Sequence, residues 1–241
     1  MHNTIVFIVL IVCLAGFGQG LTGFGFGLIA MPLLPVFMTL REAAALTVLL
    51  NLVVCGIMFL STRVHYSWRQ GLSVVLGACA GLPAGVYMLV ALKEIVLLRI
   101  LGGVMLALAG NELLLAQTKS VPLSPRLGFP FGLLSGGLSG AFNMGGPPAV
   151  AYCYSQAWGK DQVVAVLQVV FGISAILRVL LFSGAGILTW PIFFLGLWSV
   201  LPLIGAILLG RRLFARVPQP KLRKAVFVFL GVMGIRYLVF P

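Results

Sequence analysis

Charged residues punctuate this chain at long intervals. Between them run stretches without one Asp, Glu, Lys or Arg, at residues 1–40, 43–62, 70–92, 127–159 and 179–210. About 20 apolar residues make a helix long enough to cross a bilayer. On that spacing the pattern predicts eight membrane segments, at roughly 4–37, 43–61, 71–91, 96–117, 127–157, 162–184, 190–210 and 224–240. Polar pairs mark the joints: Arg41-Glu42 follows the first segment and Lys160-Asp161 follows the fifth. Each acid is expected in the first turn of the next helix, where the helix dipole favours it. The predicted fold class is an all-α polytopic membrane protein.

Two segments are too long. About 33 residues at 1.5 Å each make roughly 50 Å of helix, against a hydrocarbon core of about 30 Å. The first and fifth segments are therefore expected to be broken or re-entrant, and each holds a glycine-rich motif. The first motif reads Gly20-Leu21-Thr22-Gly23, then Phe24-Gly25-Phe26-Gly27. The second, 117 positions later, reads Gly137-Leu138-Ser139-Gly140, then Ala141-Phe142-Asn143-Met144-Gly145-Gly146-Pro147-Pro148. Breaking a helix in hydrocarbon frees backbone N–H and C=O groups, each costing several kcal/mol unless protein, ligand or a wet cavity satisfies it. Breaks at matching places in two halves point to a binding site built from discontinuous helices.

The correspondence extends along the chain. Leu82-Pro83 matches Leu201-Pro202, Trp68 matches Trp190, and Gly103-Val104-Met105 matches Gly231-Val232-Met233, all in one order. Two homologous four-helix repeats follow, residues 1–118 and 119–241, forming one integral membrane domain. Four full crossings per repeat make them parallel; re-entrant broken segments leave three crossings each and make them inverted. With eight crossings, Arg41, Lys93, Lys160 and the cluster Arg211, Arg212, Arg216, Lys221, Arg223 and Lys224 share one side. Arg63, Arg69, Lys119 and Arg126 share the other. The positive-inside bias then puts the first set in the cytoplasm and both termini outside.

Composition agrees with this class: 61% of the residues are hydrophobic, 8% are charged, and mean hydropathy is +1.16. The net charge of +12 lies at segment ends, as topology signals and lipid-facing anchors rather than a nucleic-acid surface. Ile5–Leu14 has the length of a signal-peptide core, but no basic stretch precedes it and the apolar run continues through Met38. It is read as a retained helix. Cys13, Cys55, Cys79 and Cys153 are scattered without a CxxC pair, as packing residues. No metal or other cofactor is implied. Paired carboxylates, HExxH, a nucleophile–base set and a P-loop are all missing from the sequence, so the expectation is not an enzyme.

The motif GQGLTGFGFGLIAMPLL at 18–34, with GGLSGAFNMGGPP at 136–148 and the helix start REAAALTVLLN at 41–51, resembles the TauE/SafE family of bacterial membrane transporters. The resemblance covers essentially the whole chain. It implies a secondary transporter, an exporter of a small anion such as sulfite or an organosulfonate, in the inner membrane. A half-helix starting near Gly145-Gly146-Pro147-Pro148 would offer first-turn N–H groups and a helix dipole to such an anion. Ser135, Ser139 and Asn143 would add donors, with Gln19 and Thr22 from the first half. Gly23, Gly25, Gly27 and Gly140 would let backbone approach the solute. The same small residues also suit close helix packing.

Other polar residues carry open alternatives. Arg178 lies well inside the sixth segment, to attract the anion, to pair with a carboxylate, or to snorkel to the interface. Asn51 and Gln168 either line the path or bond a neighbouring helix. Glu112 is either an interfacial residue or a proton carrier. His65, with Tyr66 and Trp68, reads as an interfacial anchor, and His2 is uninformative. Apolar outer faces with Trp198 or Phe193 leave a homodimer open. Two other classes compete with a carrier: a passive anion channel, and a non-transporting membrane assembly or signalling subunit.

Overall fold

The computed structural model describes residues 2–63, 68–115, 123–213 and 219–241, and the secondary structure of these residues is helical throughout. In chain order the helices are α1 (His2–Thr22), α2 (Phe26–Leu33), α3 (Leu40–Thr62), α4 (Trp68–Ala91) and α5 (Glu94–Gly110). They continue as α6 (Gly128–Phe142), α7 (Gly146–Ser155), α8 (Lys160–Gly184), α9 (Trp190–Leu213) and α10 (Gln219–Val239). Among the described residues, six helices are long and apolar enough to cross a membrane: α1, α3, α4, α5, α8 and α9. The fifth predicted segment is divided into α6 and α7, of 15 and 10 residues. His65, Tyr66 and the side chains of His2 and Trp68 lie outside the described residues, as do those of Arg216, Lys221 and Arg223.

Local chemistry sets the helix starts. Thr39 and Glu42 form a capping box at α3, with the Thr39 N–H donating to Glu42 Oε2 at 2.8 Å. Arg41 lies across the end of α4, donating from Nε to Leu89 O at 3.0 Å and from Nη2 to Leu92 O at 2.7 Å. Those are orphan C-terminal carbonyls, and a cation there also meets the negative end of the helix dipole. Asp161 occupies the first turn of α8, as its position in the sequence predicts.

Each broken segment is a hairpin. Phe7 near the start of α1 stacks on Phe37, just past the turn that ends α2, at 5.6 Å between centroids and 11° between planes. In the second half Gln156 Nε2 donates to Leu123 O at 3.0 Å and Tyr152 OH to Pro125 O at 3.4 Å. The chain after α7 thereby returns to where α6 began. The two hairpins open at opposite ends of the bundle. α3 starts beside the end of α4, through Arg41 and through the Leu40 N–H donating to Glu94 Oε1. At the other end Gln162, in the first turn of α8, donates from Nε2 to Gln70 Oε1 at the start of α4. Lys160 therefore shares the end of the bundle with Arg63. This corrects the eight-crossing arrangement, which put Lys160 with Arg41.

The helices pack in reciprocal pairs: α1 on α9 and α6 on α4, with α3 against α8 and α5 against α10. The α4–α6 seam is backbone against backbone. A Cβ on Gly77, Gly81 or Gly85 would stand 2.1 Å from the carbonyl oxygen of Phe129, Leu133 or Gly137. From the other side, Gly132, Gly136 and Gly140 face the carbonyls of Val74, Ala78 and Leu82 at 2.3, 2.1 and 2.4 Å. Without a hydrophobic drive between helices in lipid, such close approach maximises dispersion. Gly140 thus packs in this seam, the helix-packing alternative for these small residues.

Candidate functional site

At the first break the chain leaves α1 through Gly23 (φ +80°) and enters α2 through Gly25 (φ +110°), a conformation that side chains with a Cβ rarely adopt. Gln19 spans the break. Its Oε1 accepts from the Phe26 N–H at 2.8 Å, and its Nε2 points at the Gly23 carbonyl at 3.4 Å. Gln168 on α8 donates to that same carbonyl from Nε2 at 2.8 Å. Thr22 donates back to Gly18 O at 2.9 Å, and its oxygen accepts from the Phe24 N–H at 3.3 Å. Freed backbone groups are thus met by neutral side chains.

At the second break Asn143 takes the left-handed conformation (φ 52°) that ends α6, the one non-glycine residue with positive φ among those described. Its N–H donates to Ser139 O at 3.0 Å, and Met144 N–H to Leu138 O at 3.3 Å, so the last carbonyls of α6 are occupied. Ser135 Oγ donates to the Gly145 carbonyl at 2.6 Å and ties the hairpin together. Arg178 of α8 then closes on it. Nη1 donates to Ser139 O at 2.7 Å and Nη2 to Asn143 Oδ1 at 2.6 Å.

Arg178 is fully buried, at 0% exposure, so it does not snorkel to an interface. Both of its bonded partners are neutral oxygens. Three buried polar atoms have no hydrogen-bond partner among the described residues: Arg178 Nε, Asn143 Nδ2 and Gln168 Oε1. In the low dielectric of a protein interior, a charge left without a counter-charge and a donor left without an acceptor are both costly.

The two breaks meet. An added Cβ on Gly27 would lie 1.8 Å from the Asn143 carbonyl oxygen. Around this junction is a cleft with an empty volume, mouth included, of about 350 Å³. Gln19, Gly25 to Leu28, Asn51, Ser139, Asn143, Gly145, Gly146 and Phe171 line it. Of the residues picked from sequence, Gln19, Asn51, Ser139, Asn143, Gly145 and Gly146 come together on its wall. Ser135 and Arg178 stand behind Asn143 and Gly145. Thr22 and Gly23 secure the first break without lining the cleft.

The first turn of α7 was expected to offer its N–H groups, but Pro147 and Pro148 occupy two of those positions and have none. At the start of α2, Gly27 and Leu28 carry first-turn N–H groups beyond the reach of any intrahelical acceptor. Sequence reasoning also missed Phe171, an ordinary core residue by every local signal. Gln168 takes the second of its two sequence alternatives, a bond to a neighbouring element, at the Gly23 carbonyl.

These features define a multi-pass helical membrane protein with a polar cleft at its centre, built from two interrupted helices. The model of the family described as "Sulfite exporter TauE/SafE" matches residues 8–237, and the chain belongs to that family of membrane transporters. A relative from Cupriavidus necator, described as "Probable sulfite/organosulfonate exporter TauE", is 29% identical over 227 residues. The match covers 89% of this chain and 86% of the relative. No solved structure matches the chain.

Proposed function

We propose that the chain is a secondary transporter that carries a small oxyanion, sulfite or an organosulfonate, outward across the cytoplasmic membrane. The carrying observation is Arg178: a fully buried guanidinium, bonded to neutral oxygens, directly behind the cleft. A bound anion supplies the missing counter-charge. Its oxygens accept from Asn143 Nδ2, aimed by the Arg178–Oδ1 bond, and from the Gly27 and Leu28 N–H groups at the positive end of the α2 dipole. Asn51 and Ser139 offer further neutral donors on the wall. The solute class and outward direction come from the relative's description.

Alternating access is assigned to two inverted repeats, residues 1–118 and 119–241, each a hairpin followed by three helices. The hairpins opening at opposite ends and the reciprocal packing of α1 on α9 and α6 on α4 support that arrangement. The end of the bundle holding Arg63, Lys160, Arg211 and Arg212 is assigned to the cytoplasm, which puts the termini outside.

The test is counterflow in proteoliposomes loaded with unlabelled sulfite, following uptake of labelled sulfite. The native protein is expected to give saturable exchange. Asn143→Gly keeps the left-handed backbone and deletes only the amide, and should lower exchange about tenfold or more, as for a hydrogen bond to a charged group. Silence toward sulfite, taurine-like sulfonates, sulfoacetate and thiosulfate alike would overturn the organosulfur assignment.

A further inference from the structure

Gly25 and Leu28 stand between two cavities. One is the anion cleft. The other, of about 380 Å³ with its mouth, is lined by Gly18, Thr22, Phe24, Ile29, Val226 and Phe227 besides the shared pair. It lies between the first hairpin and α10, on the far side of the first break. Its lining is apolar except for the Thr22 hydroxyl, which is already engaged with the Gly18 carbonyl and the Phe24 N–H. It therefore offers nothing to an anion and much to a hydrocarbon group.

Gly25 and Leu28 are common to the two linings. Gly25 contributes no side chain, and the atoms nearest to an added Cβ there are Leu28 Cδ1 and Thr22 Oγ1, both at 3.8 Å. Leu28 itself lines both cavities. A leucine changes rotamer at little cost where space lies beside it. The Leu28 N–H belongs to the first turn of α2, whose Gly27 meets Asn143.

We propose that the second cavity is an apolar subsite of the carrier, which receives a short hydrocarbon substituent of the anion while the charged head lies against Asn143. The preferred solutes are then alkane- or arenesulfonates with a tail of a few carbons, in preference to a bare inorganic anion. This rests on the anion-carrier reading above. A lipid acyl chain is the competing occupant. It would fill the cavity whatever the head group, and would not link tail length to anion affinity.

The experiment is competition in the proteoliposome exchange assay. Labelled sulfite is the tracer and methane-, ethane- and propanesulfonate are the competitors. Burial of each added CH2 should lower the half-inhibitory concentration about fourfold along that series. Val226→Trp fills the cavity and should flatten the series to within about twofold. Ile29→Ala enlarges the cavity and should shift the best competitor to a longer tail. Sulfite exchange with a flat series in the native protein overturns the subsite and leaves the carrier standing. So does an equal loss for all competitors in Val226→Trp. Absence of exchange for every anion takes down the carrier reading and the subsite with it.

Discussion

The two helix breaks follow one plan and are secured by different chemistry. The first needs two left-handed glycines and is held by amides and a hydroxyl: Gln19, Gln168 and Thr22. The second turns on a left-handed asparagine and is held by a guanidinium, Arg178. A single helix, α8, reaches both, through Gln168 at the Gly23 carbonyl and Arg178 at Ser139 and Asn143. Neutral capping meets the Phe26 N–H and the Gly23 carbonyl of the first break without adding a charge. Cationic capping satisfies the backbone of the second but leaves a charge over. On the proposed carrier reading the labour is divided: the first break supplies a helix N-terminus to the cleft, and the second supplies the positive field and an aimed amide.

The largest effect is expected where the breaks touch. Gly27→Ala drives a methyl into the Asn143 backbone, which cannot move away as a side-chain tip would. Overpacking of this kind costs about 3 kcal/mol, so the variant should lose folded protein in detergent by size exclusion and thermal unfolding. Gly146→Ala is its counterpart in the other break. The nearest atoms there are 3.8 Å away, and exchange should stay within about twofold of the native value.

The charge comes next. Arg178→Met leaves Asn143 Oδ1 and Ser139 O without their donors and removes the positive field. Sulfite exchange should fall about 100-fold or more, as when a charged hydrogen-bonding partner is lost. Arg178→Lys keeps the charge and loses the fork, and should recover part of that loss. If both variants exchange normally, the contrast between the breaks is structural only. The neutral break should be more forgiving. Gln19→Ala uncaps α2 at a cost of about 1 kcal/mol, which corresponds to roughly a fivefold fall in exchange. A fall as large as that of Arg178→Met would mean that the first break carries the recognition.

Much of this was legible in the chain. Uncharged runs and polar joints place the helices within a few residues, because the hydrophobic thickness of a bilayer imposes its length on any helix that must cross it. The glycine motifs place both interruptions, because an overlong helix cannot stay straight in that thickness. What the motifs did there was not legible. Gly27 and Gly140 look alike in sequence, yet one meets the other break and the other packs on α4. Pro147 and Pro148 read as a helix start, which they are, but that the start of α2 meets the second break was not visible.

The sequence by itself determined the class, the helical segments and the positions of the breaks, since these follow from local hydrophobicity and backbone chemistry. Tertiary structure decided the direction of the hairpins, the meeting of two breaks 117 residues apart along the motif spacing, and the burial of Arg178 behind Asn143. Those depend on which helix face packs against which, a property of pairs of segments that no single stretch of chain encodes.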